Sequence, residues 1–170
     1  MEDHQMKKMF GILVAVLPST QLLILFLLWS PAVADDRDGL TGNWKLLSFY
    51  TEDAQSKERN NVYGEYPKGY AAITPEGRLF VVVTGDGRKT PQSTEEQAAA
   101  FRSMIAYTGK YRVEGNKFIT TVDAAWNEGW MGSEQVRFWR LDGNTLSITT
   151  ALMTNPNGGM MTGTLVWERE

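Results

Sequence analysis

From Leu40 onward the chain alternates apolar and polar residues with a period of two, and tight-turn signals cut that alternation at short intervals. A strand turns successive side chains to opposite faces, so this rhythm leaves little room for any fold but an antiparallel sheet. "LTGNWKLLSFY" sets Gly42, Trp44 and Leu46 against Asn43, Lys45 and Leu47. "GYAAIT" and "RLFVVVT" flank a Pro-x-Gly turn, "YTGKYRV" and "KFITTVDA" flank "EGN", and "SEQVRFWRL" and "TLSITTAL" flank "DGN". "MMTGTLVWER" follows "NPNGG". Glycine and asparagine supply the backbone conformations such hairpins need. The pattern predicts eight strands joined as a meander.

Two segments depart from the rhythm. "STEEQAAAFRSMIA" predicts one helix over about 94–105, with Thr94 as N-cap, Gln97 completing a capping box, and Ala98, Phe101, Met104 and Ile105 on one docking face. "EDAQSKERNNVYGEYPK", residues 52–68, reads as a long polar loop ending in tyrosines; it is either functional or a solvated excursion. Eight antiparallel strands either close into a barrel, which removes exposed edges and leaves room for one small ligand, or stack as two sheets.

The N-terminal stretch reads as a targeting segment. Lys7 and Lys8 precede apolar Met9–Leu17 and Leu22–Trp29, and Ala32-Val33-Ala34 has the small-x-small form of a cleavage site. The expectation is a signal peptide over 1–34, cleaved after Ala34, and a single domain over 35–170 that is secreted or periplasmic. The competing reading is an uncleaved anchor, since Met9–Trp29 is just long enough to span a bilayer, although Pro18 and Gln21 interrupt it. The chain has no cysteine, which excludes a lipid-anchored lipoprotein.

Composition narrows the chemistry. The one histidine, His4, lies in the leader, so residues 35–170 contain neither histidine nor cysteine. That excludes histidine-assisted nucleophiles, histidine or thiolate metal sites and histidine-ligated haem within the domain. No cofactor and no metal site are expected. A net charge of −3 without a basic run also argues against nucleic acid, and against a membrane surface once the leader is gone.

The chain resembles the bacterial and fungal lipocalin-like domain family through several ordered motifs. These are Gly42-Asn43-Trp44, Pro67–Tyr70, Thr74–Gly77, Ala106–Tyr111, Trp130–Arg137 and Leu165–Arg169, spanning almost all of residues 40–169. The resemblance implies an all-β, eight-stranded antiparallel up-and-down lipocalin-like barrel with one inserted helix. It further implies that Trp44 plugs the closed end beside a basic residue, for which Arg169 is the candidate. Two departures keep the ligands of ordinary lipocalins from being carried over: the disulfide is missing, and the helix interrupts the barrel rather than following it.

Within such a barrel, "AWNEGWMGSEQVRFWRL" is the most informative stretch. One face of the strand is Glu134, Val136, Phe138 and Arg140; the other is Gln135, Arg137, Trp139 and Leu141. The second face offers an amide, a guanidinium fork and a flat wall, a combination suited to a ligand carboxylate or carbonyl. It is preferred as the lumen face, while the opposite choice leaves Arg137 covering Trp139 in solvent. Trp126 and Trp130, in the loop entering the strand, either gate the mouth or merely close the barrel end. Tyr107 and Tyr111 share one face, with Gly109 between them as space for a ligand; plain core packing is the alternative. Tyr63, Tyr66 and Tyr70 are further candidates for the mouth.

The expected ligand-binding set is therefore Tyr107, Tyr111, Gln135, Arg137, Trp139, Trp126 and Trp130. The expected partner is a small apolar or amphipathic molecule with an acidic or carbonyl group. Two alternatives stand beside it: a cofactor-independent isomerase or cyclase using Asp123 or Glu134 as base, and a filled barrel acting as a structural or interaction module.

Overall fold

A computed structural model of the chain describes residues 39–170. The expected leader, its cleavage site and the competing anchor all lie outside the described residues. Ten strands form one sheet: β1 (Gly42–Asp53), β2 (Arg59–Asn61), β3 (Lys68–Ile73), β4 (Arg78–Thr84), β5 (Met104–Glu114), β6 (Lys117–Ala125), β7 (Glu134–Asp142), β8 (Thr145–Thr150), β9 (Met153–Thr154) and β10 (Met160–Arg169). All pairings are antiparallel, and β1 pairs with β10 from Trp44↔Arg169 to Asp53↔Met161, which closes the sheet. The short β2 lies on the same edge of β1 as β3, and β9 lies on the same edge of β10 as β8. The architecture is thus a closed eight-stranded up-and-down barrel with two interrupted staves.

Two expectations are corrected here. Residues 52–68 are not one long loop, because β1 runs on to Asp53 and β2 pairs back onto Tyr50–Glu52. The excursion shrinks to Val62–Pro67, pinned where the Tyr63 hydroxyl donates to the Met104 carbonyl and the Tyr66 amide donates to Asp86. The helix, α1 (Thr94–Arg102), begins at the expected residue but is capped one residue earlier and ends sooner than expected. Ser93 is its N-cap, accepting from the Glu96 amide, while Glu96 reaches back to the Gln92 amide. Ser and Thr cap equally well, so the sequence alone does not choose between neighbours. Met104 and Ile105 belong to β5, Phe101 is exposed and no helix residue is buried, so α1 does not dock through an apolar face.

The two ends of the barrel differ. The tight hairpins β3–β4, β5–β6 and β7–β8 gather at one end; Gly143 takes φ 57° in the last of these, which glycine reaches without a Cβ penalty. That end is plugged. Trp44 and Leu40 are wholly buried, and the Trp44 indole N–H donates to the Leu40 carbonyl at 2.9 Å. The Arg169 guanidinium lies 4.2 Å from the Trp44 ring centroid and donates to the carbonyls of Thr41 and Gly39. The longer connections, including α1 and the Trp126–Ser133 loop, gather at the opposite mouth.

Candidate functional site

Between plug and mouth the lumen is hollow. A cavity of about 390 Å³ occupies it, floored by Trp44, Trp167, Phe118 and Leu146. Such a volume falls in the range of small-molecule sites. Its presence runs against the filled-barrel reading.

Strand periodicity decides which residues reach it, and bulges change the phase. On β1, Leu47 is an extra residue opposite β10, between the pairs Leu46↔Trp167 and Ser48↔Val166. Trp44 and Leu46 point inward before it, Phe49 and Thr51 after it, and Leu47 is left exposed. The phase also switches between β8 and β9, so that Ile148 and Thr150 line the cavity, and then Met153. Sequence reasoning missed Phe49 and Thr51, which lie beyond the β1 bulge, and also Thr150, Met153 and Met161.

Among the described residues that line the cavity, Arg137 is the only charged one. Its strand presents the odd-numbered face inward, with Trp139 and Leu141 packed against the core below it. One guanidinium nitrogen, Nη2, donates to the Gln135 side-chain oxygen at 2.8 Å, and Nη1 donates to the Val136 carbonyl at 2.9 Å. The Trp130 ring centroid lies 5.9 Å from the guanidinium carbon. No carboxylate pairs with Arg137 among the described residues. Burial disfavours its charge and pulls its pKa below the usual arginine value, while nearby Tyr107 acts in the opposite sense. Burial likewise raises the Tyr107 pKa, with Arg137 opposing.

The seven expected ligand-binding residues divide. Tyr107, Trp130 and Arg137 line the cavity. Their mutual arrangement is built by the mouth loop: a single 3₁₀ turn, Glu128–Trp130, capped by Asn127, brings Trp130 edge-on to Tyr107 at 5.4 Å. Trp126 does not line the cavity; it packs edge-on against Trp130 at 4.8 Å and buttresses it. Gln135 also stands behind the wall. Its amide nitrogen donates to Ser133 Oγ, which donates to the Trp130 carbonyl, so a three-residue chain ties Arg137 to the mouth loop.

The remaining two serve the closed end. Tyr111 stacks on Phe118 at 4.7 Å and its hydroxyl donates to the Thr74 carbonyl. Trp139 donates from its indole N–H to the Gly115 carbonyl. Gly109 is not a ligand slot either. A Cβ there would sit 2.1 Å from the Thr121 carbonyl oxygen, because an extra residue in β6, Asp123, draws the two backbones together.

Tyr66 and Tyr70 are exposed on the outside of the barrel, and the Tyr63 ring packs edge-on against Phe49 beneath the mouth. The two carboxylates considered as bases also face outward. Asp123 forms a two-pronged pair with Arg78 at 2.8 and 3.0 Å, and Glu134 pairs with Arg112 at 2.6 Å. Hydrogen bonds from those arginines hold both pKa values below the ordinary carboxylate range. Neither can act on a molecule in the lumen, so the isomerase reading loses both of its proposed bases.

A family model described as a lipocalin-like domain matches residues 41–170. No curated protein matches the chain closely enough to stand as a relative.

Proposed function

This chain belongs to the lipocalin-like domain family, and from that premise we propose that it binds a small, largely apolar molecule carrying an acidic or carbonyl group. One observation carries the reading: the one cation among the described residues lining a largely apolar cavity has no carboxylate partner among them. A half-buried charge held only by neutral acceptors costs free energy that an anionic ligand would recover. Arg137 retains N–H donors beyond the two that are used, and a planar guanidinium suits a carboxylate. The Tyr107 ring and Trp130 would flank the ligand head, and the Trp44–Trp167 floor would receive its apolar end. The leader read in residues 1–34 supports export, so the ligand would be met in the periplasm or outside the cell.

The test is Arg137→Ala, with the affinity for a C10 carboxylic acid measured by calorimetry and the fold checked by circular dichroism. Binding more than tenfold weaker with the spectrum unchanged is the expected result. Equal affinity in the variant sinks the assignment.

A further inference from the structure

Gly163 interrupts the inward row of β10, between Met161 and Leu165, and it lines the cavity. Glycine within a strand lowers stability through its extra unfolded-state freedom, so its presence calls for a cause. Backbone conformation is not the cause, since Gly163 is absent from the positive-φ residues. Nor is crowding. The atoms nearest to a Cβ built on Gly163 are Met153 Cε, Phe49 Cε2 and Thr150 Cγ2, each at 3.6 Å, which is ordinary van der Waals contact. This contrasts with Gly109 and Gly69, where an added Cβ would strike backbone atoms at 2.1 and 2.8 Å. At Gly163 the protein leaves out a methyl group that it could accommodate.

The gap has defined walls and a defined place. Its three nearest neighbours line the cavity, and each presents carbon to it. It also lies level with the cation: Arg137 pairs with Thr150, the Gly163 amide donates to Thr150 Oγ1 at 2.9 Å, and Gly163 pairs with Thr51. Two strand spacings separate Gly163 from Arg137, roughly 10 Å along the wall. An apolar recess therefore opens at the level of the acid head, a few carbons away from it.

We infer that Gly163 is a specificity-determining residue, and that its recess admits a ring or branch a few carbons from the head of the bound acid. This rests on the reading of Arg137 as the head-group site. It narrows the ligand class from any amphipathic acid to ring-bearing or branched acids, against straight chains. Filling such a recess with one methyl group discriminates by about tenfold or more where packing is close.

The experiment compares 4-cyclohexylbutanoate with decanoate, acids of equal carbon count, on the full chain and its variants by calorimetry. The wild type is expected to favour the cyclohexyl acid by about tenfold, a methylene-scale discrimination. Gly163→Ala should abolish that preference while melting at or above the wild-type temperature. Met153→Ala, which widens the recess from another wall, should keep or enlarge the preference. A wild type without preference, a Gly163→Ala variant that retains it, or a lowered melting temperature in that variant each overturns the inference. Failure of the head-group reading looks different: Arg137→Ala would bind both acids as the wild type does, whereas the recess fails on their ratio alone.

Discussion

The barrel contains two arginine–tryptophan pairs, one at each end, and they are built differently. At the plug, Arg169 lies 4.2 Å from the Trp44 centroid and donates to the Thr41 and Gly39 carbonyls, with Trp44 wholly buried. At the mouth, Arg137 stands 5.9 Å from the Trp130 centroid, leans on a side-chain amide and faces a cavity. Neither has a carboxylate partner among the described residues. The first pair ties the segment before β1 to the end of β10, across most of the chain's length, and closes an end. The second is held from behind and leaves its front open. The same two side chains thus serve closure in one place and leave a cation available in the other. What differs is where the donors go: at the plug to the backbone of a distant segment, at the mouth to neighbours on the arginine's own strand.

The largest effect expected from this contrast is on stability. Trp44→Ala should cost about 3–5 kcal/mol, the usual range for a large aromatic removed from a packed site, read as a fall in the midpoint of urea unfolding. Arg137→Met should leave the midpoint unchanged or raise it, because an apolar side chain of similar length replaces a half-buried cation without a counter-ion. Equal losses in the two variants would erase the distinction between plug and mouth.

A smaller effect separates Arg137 from the support behind it. Gln135→Leu removes the acceptor for Nη2 and the donor to Ser133 Oγ. The guanidinium then loses its fixed orientation, and affinity for an acid should fall roughly three- to tenfold, on the order of one hydrogen bond. An uncharged apolar probe of similar size should bind the variant and the wild type alike. If both probes weaken equally, Gln135 only maintains the shape of the wall.

Much of this was legible in the sequence, and the rest was hidden for physical reasons. Period-two alternation and glycine-bearing turns made the eight staves readable, since both follow from backbone geometry. Arg137 was readable only in part: β7 has no bulge, so its two faces could be sorted, but alternation left both open and the odd face was preferred for its residue types and the family pattern. Phe49 and Thr51 were not, since the extra residue Leu47 reverses the phase of β1 and a bulge leaves no mark in composition. Gly109 was misread for the same cause, the extra residue Asp123 lying on the neighbouring strand. Tyr111 and Trp139 share a face with cavity residues but lie nearer the plug, and depth along a barrel is set by register rather than by alternation. Asp123 and Glu134 found their arginines across the outer wall, in pairings that only the folded register creates.

The smallest effect is that of pH, and it sharpens the contrast by acting on neither pair. Asp123 and Glu134 are held below the ordinary carboxylate range by Arg78 and Arg112, and Asp53 by the backbone amides of Ser56 and Gln55. Each binds a proton less readily when folded than when unfolded. Their contribution is therefore present above the unfolded carboxylate values, about 3.9–4.3, and lost as pH falls through the lower folded values. These groups are exposed, so the loss should be modest. Residues 39–170 contain no histidine, so the melting temperature should stay level between about pH 6 and 8 and decline below about pH 4. Acid binding should follow a different curve. Arginine stays protonated in proteins, so affinity should hold above about pH 6 and fall as the ligand's own carboxyl takes up its proton, near pH 4–5. Calorimetry from pH 4 to 8 with an acid and with its amide separates the two processes. The acid should lose affinity where the amide does not, while the protein is still folded. Parallel curves for the two would mean that the cation at the mouth takes no part in recognition.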